Sequence, residues 1–330
     1  MIGKKLCSLG VLVSTVLFGA HAASAEEVEL RTLSSLSTNL VFTKDFVENF
    51  VEPLNERGKG VIKVNLVGGP EVTPPGNSGK ALERGIFDML FGPVSYFQDI
   101  APEATALQGS TLTPAQMREN GGWDILREVL NNKLNAEPIA FAQSGTQYNL
   151  YFTEKPKITE NGVDLTGVKM RSTQTYRSML ESLGAVPVSV KGSEIYTSLK
   201  RGVVSGFAWP NAGLTGLGVA DAVKYRLLPG FWRTPTLISI NLDVWKSLSP
   251  EAQALVQDVA QEFEKKSVAY LDAAAAKETD ELVAAGMQII ELEGQAADKF
   301  LTMAYDLIWK KLSETSPEYG PRMREKFYQP

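Results

Sequence analysis

Apolar and polar residues alternate over Val28 to Leu33 (VELRTL) with the two-residue period of a half-buried strand. From Asn39 the period lengthens, and Phe42, Phe46, Phe50 and Leu54 fall four apart, which predicts a helix. Val61 to Val67 (VIKVNLV) predicts a second strand. Turn residues follow at Gly68-Gly69-Pro70 and Pro74-Pro75-Gly76-Asn77, then a short helix over Lys80 to Arg84 stopped by Gly85, then a third strand over Phe87 to Phe91. Thr113-Pro114-Ala115-Gln116 has the form of a capping box with proline at the first helical position, launching a helix to about Leu130.

A second series begins near Gly145. Strands are predicted over Tyr148 to Phe152, Val168 to Arg171 and Val186 to Val190, with helices over Thr175 to Leu183 and Ser193 to Arg201. Glycine and aromatic residues then crowd positions 205 to 235, an irregular stretch that reads as a lobe boundary or the lining of a cleft. Ser249-Pro250-Glu251 opens the longest helical pattern, which meets neither Gly nor Pro until Gly286. Such a helix is roughly 50 Å long, more than one lobe needs, so it bends or ties two lobes together. Its small-residue run Ala273 to Ala276 leaves a dimer contact as the alternative role. The alternation of strands and helices argues for α/β layers with a mostly parallel sheet.

Composition narrows the chemistry. In 330 residues the single cysteine is Cys7 and the single histidine is His21. Both fall in a segment built like an export signal: Lys4 and Lys5, an uncharged stretch from Leu6 to Ala20, and the small-x-small site Ala23-Ser24-Ala25, which predicts export with cleavage after Ala25. Removing residues 1–25 takes away two lysines and no acid, so the formal charge goes from −5 to −7. A mature chain without Cys or His excludes thiolate nucleophiles, Ser-His-Asp triads, histidine bases and the usual zinc sites. Its acidity, with no run of basic residues, argues against nucleic acid as a partner. Binding without chemistry becomes the leading class. A rival remains in an exported hydrolase using two carboxylates, for which Glu71, Asp88 and Glu194 are available.

Thr166-Gly167-Val168-Lys169-Met170-Arg171-Ser172 puts Arg171 at a strand tip, where α/β sheets take ligands and where a guanidinium clamps a carboxylate through parallel hydrogen bonds. Glu194 to Gly206 (EIYTSLKRGVVSG), with Phe207-Ala208-Trp209-Pro210 after it, resembles the E-x-Y-x-x-L-x-x-G-x-(V/I)-x-G segment of solute-binding proteins of tripartite ATP-independent periplasmic (TRAP) transporters, DctP type. Lys155-Pro156, Asp164 to Arg171 (DLTGVKMR), Leu183-Gly184-Ala185-Val186-Pro187, Leu82 to Met89 (LERGIFDM) and Asn241 to Leu248 (NLDVWKSL) resemble further motifs of that family in the same order.

The resemblance implies a two-lobed, type II-like periplasmic binding protein fold: lobe I over 26–145, lobe II over 146–235, and a return segment over 236–330 whose long helix links the lobes. It implies a receptor without enzyme activity that closes on a small organic acid, pairs the carboxylate with Arg171 and hands the acid to membrane permease subunits. Sensing for a membrane receptor is the nearest alternative. Trp209 and Phe207 fall where the family reaches its pocket, and Asn211 follows them. Asn149 stands where some members carry a second arginine, and Ala208 where some place a glutamate that helps hold a metal, so neither metal nor cofactor is implied. Gln174 lies three residues beyond Arg171. From the first lobe, Phe91 and Tyr96 follow a predicted strand, as Ser35, Asn39 and Glu71 follow theirs, and face the cleft on the same rule.

Overall fold

A computed structural model describes residues 27–329, so the predicted export segment and its cleavage site lie outside the described residues. Among the described residues thirteen strands run in chain order: β1 (Val28–Ser34), β2 (Ile62–Gly68), β3 (Met89–Pro93), β4 (Ala136–Ala142), β5 (Gln147–Phe152), β6 (Lys157–Thr159), β7 (Gly162–Asp164), β8 (Lys169–Ser172), β9 (Val186–Ser189), β10 (Gly206–Pro210), β11 (Tyr225–Arg233), β12 (Thr236–Asn241) and β13 (Gln288–Glu291). They form a five-stranded sheet, β2-β1-β3-β12-β4, and a six-stranded sheet, β13-β11-β5-β10-β8-β9; β6 and β7 pair as a hairpin.

In both large sheets all strands but one run in the same direction, as the alternation of elements predicts, and one strand in each is inserted antiparallel. β12 lies antiparallel to both neighbours in the first sheet, and β5 does the same in the second. The cause is the path of the chain. It leaves the first sheet after β4 and enters the second as β5, then returns from β11 as β12, and each entering strand inserts against the direction of the strands beside it. The two crossovers lie side by side. Thr146 N–H donates to the Gln143 carbonyl (3.0 Å), Thr234 N–H donates to the Thr146 carbonyl (3.2 Å), and the hydroxyls of Thr146 and Thr234 touch.

The four-residue spacing of phenylalanines has a direct packing reason. Phe46 stacks on Phe91 of β3 with ring centroids 4.4 Å apart and on Phe50 at 5.5 Å, while Phe50 meets Phe263 edge-on at 5.8 Å. Such pairs add about 0.5–1.5 kcal/mol each beyond their burial. The capping box is present, with Gln116 N–H donating to the Thr113 hydroxyl and the Gln116 side chain accepting from Thr113 N–H. The helix it starts is shorter than expected. It ends at Glu119, Gly121 turns the chain at φ 81°, and a second helix runs Gly122–Leu134.

The long helix, Pro250–Ala284, begins at Ser249, whose hydroxyl accepts from Ala252 N–H, and ends before Gly286 at φ 99°. Val256, Val259 and Phe263 pack beneath the first sheet, whereas Leu282 packs with Tyr151 and Phe207 beneath the second, so one helix serves both lobes. Polar contacts fix its register. Glu264 accepts from both terminal nitrogens of Arg118 (2.6 and 2.9 Å) and from Phe141 N–H of β4, Ser267 donates to Asp45, and Thr279 accepts from Arg226 of β11. The glycine-rich stretch 205 to 235 is more regular than its composition suggests: it supplies β10 and β11, with Trp232 buried and donating its indole N–H to the Ala304 carbonyl (2.6 Å).

Candidate ligand-binding site

Strand ends from both sheets converge on one cavity of about 120 Å³. The first lobe contributes Leu40 and Phe42 from the start of its first helix, Pro93 from the end of β3, and Ser95 and Tyr96 from the turn after it. The second contributes Tyr148 of β5, Arg171 of β8, Tyr176 beyond it, and Trp209 and Pro210 of β10. Gln143, Thr234 and Pro235 of the crossovers form the wall between them. The lobes meet closely at the rim. Gly213 has φ 88°, and a Cβ there would lie 3.2 Å from the Phe42 ring, so only glycine suits both the backbone and the gap.

Arg171 is 5% exposed and held from behind. Its Nε–H donates to the Val190 carbonyl (2.9 Å) and Nη1 donates to the Tyr176 hydroxyl, while the Tyr176 and Trp209 rings stand 5.9 and 6.0 Å from the guanidinium carbon. Two of the five N–H hydrogens of a guanidinium are thereby committed and three remain. Among the described residues no carboxylate forms an ion pair with it. A cation buried without a counter-ion is costly, and the site as built is short of one negative charge.

The remaining polarity is neutral. Burial raises the hydroxyl pKa of Tyr96, Tyr148 and Tyr176 above the usual tyrosine value, against the opposing pull of Arg171, so all three remain protonated donors at neutral pH. The Trp209 indole N–H is buried without an acceptor. Arg171, Trp209 and Tyr96, three of the residues singled out in the sequence, therefore come together here.

The other five do not reach the cavity. Phe207 is fully buried two residues before Trp209 on β10, stacked on Tyr151 at 5.5 Å; the strand carries it away from the tip and into the core. Phe91, two residues back from Pro93 on β3, is fully buried and stacks on Phe46. Asn149 is occupied by Arg226, whose Nε–H donates to its side-chain oxygen at 2.6 Å. Asn211 accepts from Gln147 N–H and donates its own N–H to the Gln147 carbonyl, closing the end of the β5–β10 ladder. Gln174 lines a neighbouring hollow of about 320 Å³, walled by Trp232 and the helix Gly294–Thr315, that shares only Gln108 and Thr175 with the first. Ser35, Asn39 and Glu71 likewise stay outside. The three acids of the hydrolase alternative are scattered: Glu71 accepts from Gly69 N–H, Asp88 from Arg31 N–H, and Glu194 is exposed beyond β9. Tyr148, Tyr176, Gln108 and Gln143 escaped the sequence reading. For Tyr148 the signal was available, since it starts a predicted strand; Gln143 sits in a crossover, where no periodicity marks which side chain faces inward.

The profile of the family described as bacterial extracellular solute-binding protein, family 7 (DctP), matches residues 34–315. The chain belongs to that family. It is a bacterial extracellular solute-binding protein, a binding receptor and not an enzyme. A solute-binding protein of Roseobacter denitrificans is 26% identical over 323 residues, covering 94% of this chain and 95% of the relative. The DctP-family chain shares its fold with an extracytoplasmic solute receptor of Bordetella pertussis that binds pyroglutamic acid (TM-score 0.76, 16% identity, 92% and 100% of the two chains). A similar likeness links it to a TRAP periplasmic solute-binding protein of Desulfovibrio salexigens with bound orotic acid (TM-score 0.78, 16% identity, 91% and 97%). These two likenesses establish the two-lobed fold and its long helix.

Proposed function

We propose that this receptor captures a small organic acid carrying a single negative charge, seats its carboxylate on Arg171 and presents the closed form to membrane permease subunits in the periplasm. The observation that carries this reading is the buried Arg171 guanidinium, fixed from behind and without a protein carboxylate. Its free N–H groups suit a bidentate carboxylate, each charge-assisted bond being worth about 1.5–3 kcal/mol. Among the described residues the wall holds no second cation, so a dianion lacks a partner.

Size and lining narrow the class. A cavity of about 120 Å³ is of the order of one that holds a benzene-sized molecule, which favours a compact acid over a long chain. Apolar faces from Phe42, Trp209, Pro93 and Pro210 favour a ring or a short branched carbon skeleton, and the tyrosine hydroxyls and the Trp209 N–H favour one further oxygen or nitrogen acceptor. Pyroglutamic and orotic acids, named for two receptors of the same fold, are acids of this kind. Lobes spanning 26–145 and 146–235, with 236–330 returning across both, close on the acid about the paired crossovers.

Thermal melting against a panel of small acids tests the reading. An acid at a hundred times its dissociation constant raises stability by about 2.7 kcal/mol, and Arg171→Ala abolishes the shift. A shift that survives in Arg171→Ala removes Arg171 from the site.

A further inference from the structure

Gln143 is the first residue of the crossover between β4 and β5, and three features meet at it. Its backbone has φ 61°, a left-handed conformation that a side chain of this kind seldom adopts and that persists only where the surroundings impose it. Its side chain is 3% exposed and lines the cavity, yet the amide nitrogen has no partner. The amide oxygen faces the Thr234 hydroxyl of the second crossover at 3.5 Å, and the Gln143 carbonyl accepts from both the N–H and the hydroxyl of Thr146. The amide is therefore anchored at one end, to the hinge, and open at the other, to the cavity. A buried amide donor without an acceptor is destabilising.

We propose that Gln143 is a specificity-determining residue: its amide N–H donates to an acceptor atom of the bound acid other than the carboxylate, and through Thr146 and Thr234 both crossovers register that bond. The proposal rests on the acid-binding reading of the cavity. It names the ligand class more narrowly, as acids with a second polar acceptor such as a ring carbonyl, ring nitrogen or hydroxyl, and it distinguishes them from acids of the same shape that lack one.

The test is calorimetric titration of the mature protein with paired probes: pyroglutamate against cyclopentanecarboxylate, picolinate against benzoate, and lactate against propionate. For at least one pair the wild type binds the polar member about tenfold to hundredfold more tightly. Gln143→Leu, which removes the amide, brings the two members within about threefold of each other. Gln143→Asn guards against a folding defect, because asparagine tolerates positive φ while its amide falls one methylene short; it loses the same discrimination. A wild type that binds both members of every pair alike, or variants that keep the wild-type ratio while binding still depends on Arg171, overturn the inference about Gln143 alone. Binding of no acid, or binding indifferent to Arg171→Ala, overturns the acid reading and this inference together.

Discussion

Arg118 and Arg171 are both guanidinium groups drawn out of bulk water beside an indole ring, and they end differently. Arg118 lies 4.1 Å from the Trp123 ring and makes a two-pronged pair with Glu264 of the long helix, with a further contact to the Ile139 carbonyl. Arg171 has a carbonyl and a tyrosine hydroxyl behind it, two aromatic rings beside it, and no protein carboxylate in front. One arginine has its charge answered within the chain and serves to lock the long helix against β4. The other is preorganised but incomplete, and its missing partner must come from outside. The same side chain thus marks structure or function according to whether the fold supplies the anion.

Four measurements bear on that contrast, in descending size of effect. Arg118→Ala leaves Glu264 buried without its cation and lowers unfolding stability by about 3–5 kcal/mol near neutral pH, read from denaturant titration. Burial already raises the Glu264 pKa, with Arg118 opposing; in the variant the carboxyl is more stable protonated, so the loss shrinks as pH falls. A neutral effect would mean that the pair contributes nothing to fastening the helix.

Arg171→Met should separate the two arginines most clearly. The acid-free protein stays at least as stable as the wild type, because a buried unpaired cation is gone, while the dissociation constant of the bound acid rises about a hundredfold or more. If the unliganded melting temperature instead falls as it does for Arg118→Ala, Arg171 is a structural residue.

Asp45 supplies the reverse case, a buried carboxylate without a cation. It accepts from Ser267 and Asn49, has Glu48 nearby, and burial raises its pKa from 3.8 to about 6. The folded state therefore holds the proton more tightly than the unfolded state. The favourable contribution is complete below about pH 3.8 and is lost as pH rises through about 6. Asp45→Asn, which keeps the shape and cannot ionise, gains roughly 2 kcal/mol at pH 8 and little at pH 4, measured as paired melts. A gain independent of pH would assign the effect to packing. The smallest effect belongs to Trp209→Phe, which keeps an aromatic face and deletes the unpartnered indole N–H; acid affinity drops by about 1 kcal/mol, with unliganded stability unchanged. Equal affinity would show that Trp209 contributes only its ring.

Arg171, Trp209 and Tyr96 were legible because each sits at or just beyond the carboxyl end of a strand that alternation or turn residues reveal. Phe207 and Phe91 stay off the cavity for a reason internal to that rule: a strand tip projects into a cleft, but residues a few ångströms back along the same strand are already in the core. Asn149 and Asn211 stay off the cavity because a polar side chain near a cleft is also the natural partner for a neighbouring strand, and here Arg226 and Gln147 claim them.

The linear pattern determined the α/β class, the order of most elements, the cap at Ser249 and the unbroken helix after it, because these depend on periods of two and 3.6 residues and on local capping chemistry. It also determined that no thiol or imidazole lies beyond residue 25 to do catalysis. Tertiary structure decided the antiparallel insertion of β5 and β12, the pairing of the crossovers, and which buried arginine met a carboxylate. Those outcomes rest on contacts between residues far apart in the chain, such as Arg118 with Glu264 and Thr146 with Thr234, and no local period encodes which distant group will arrive.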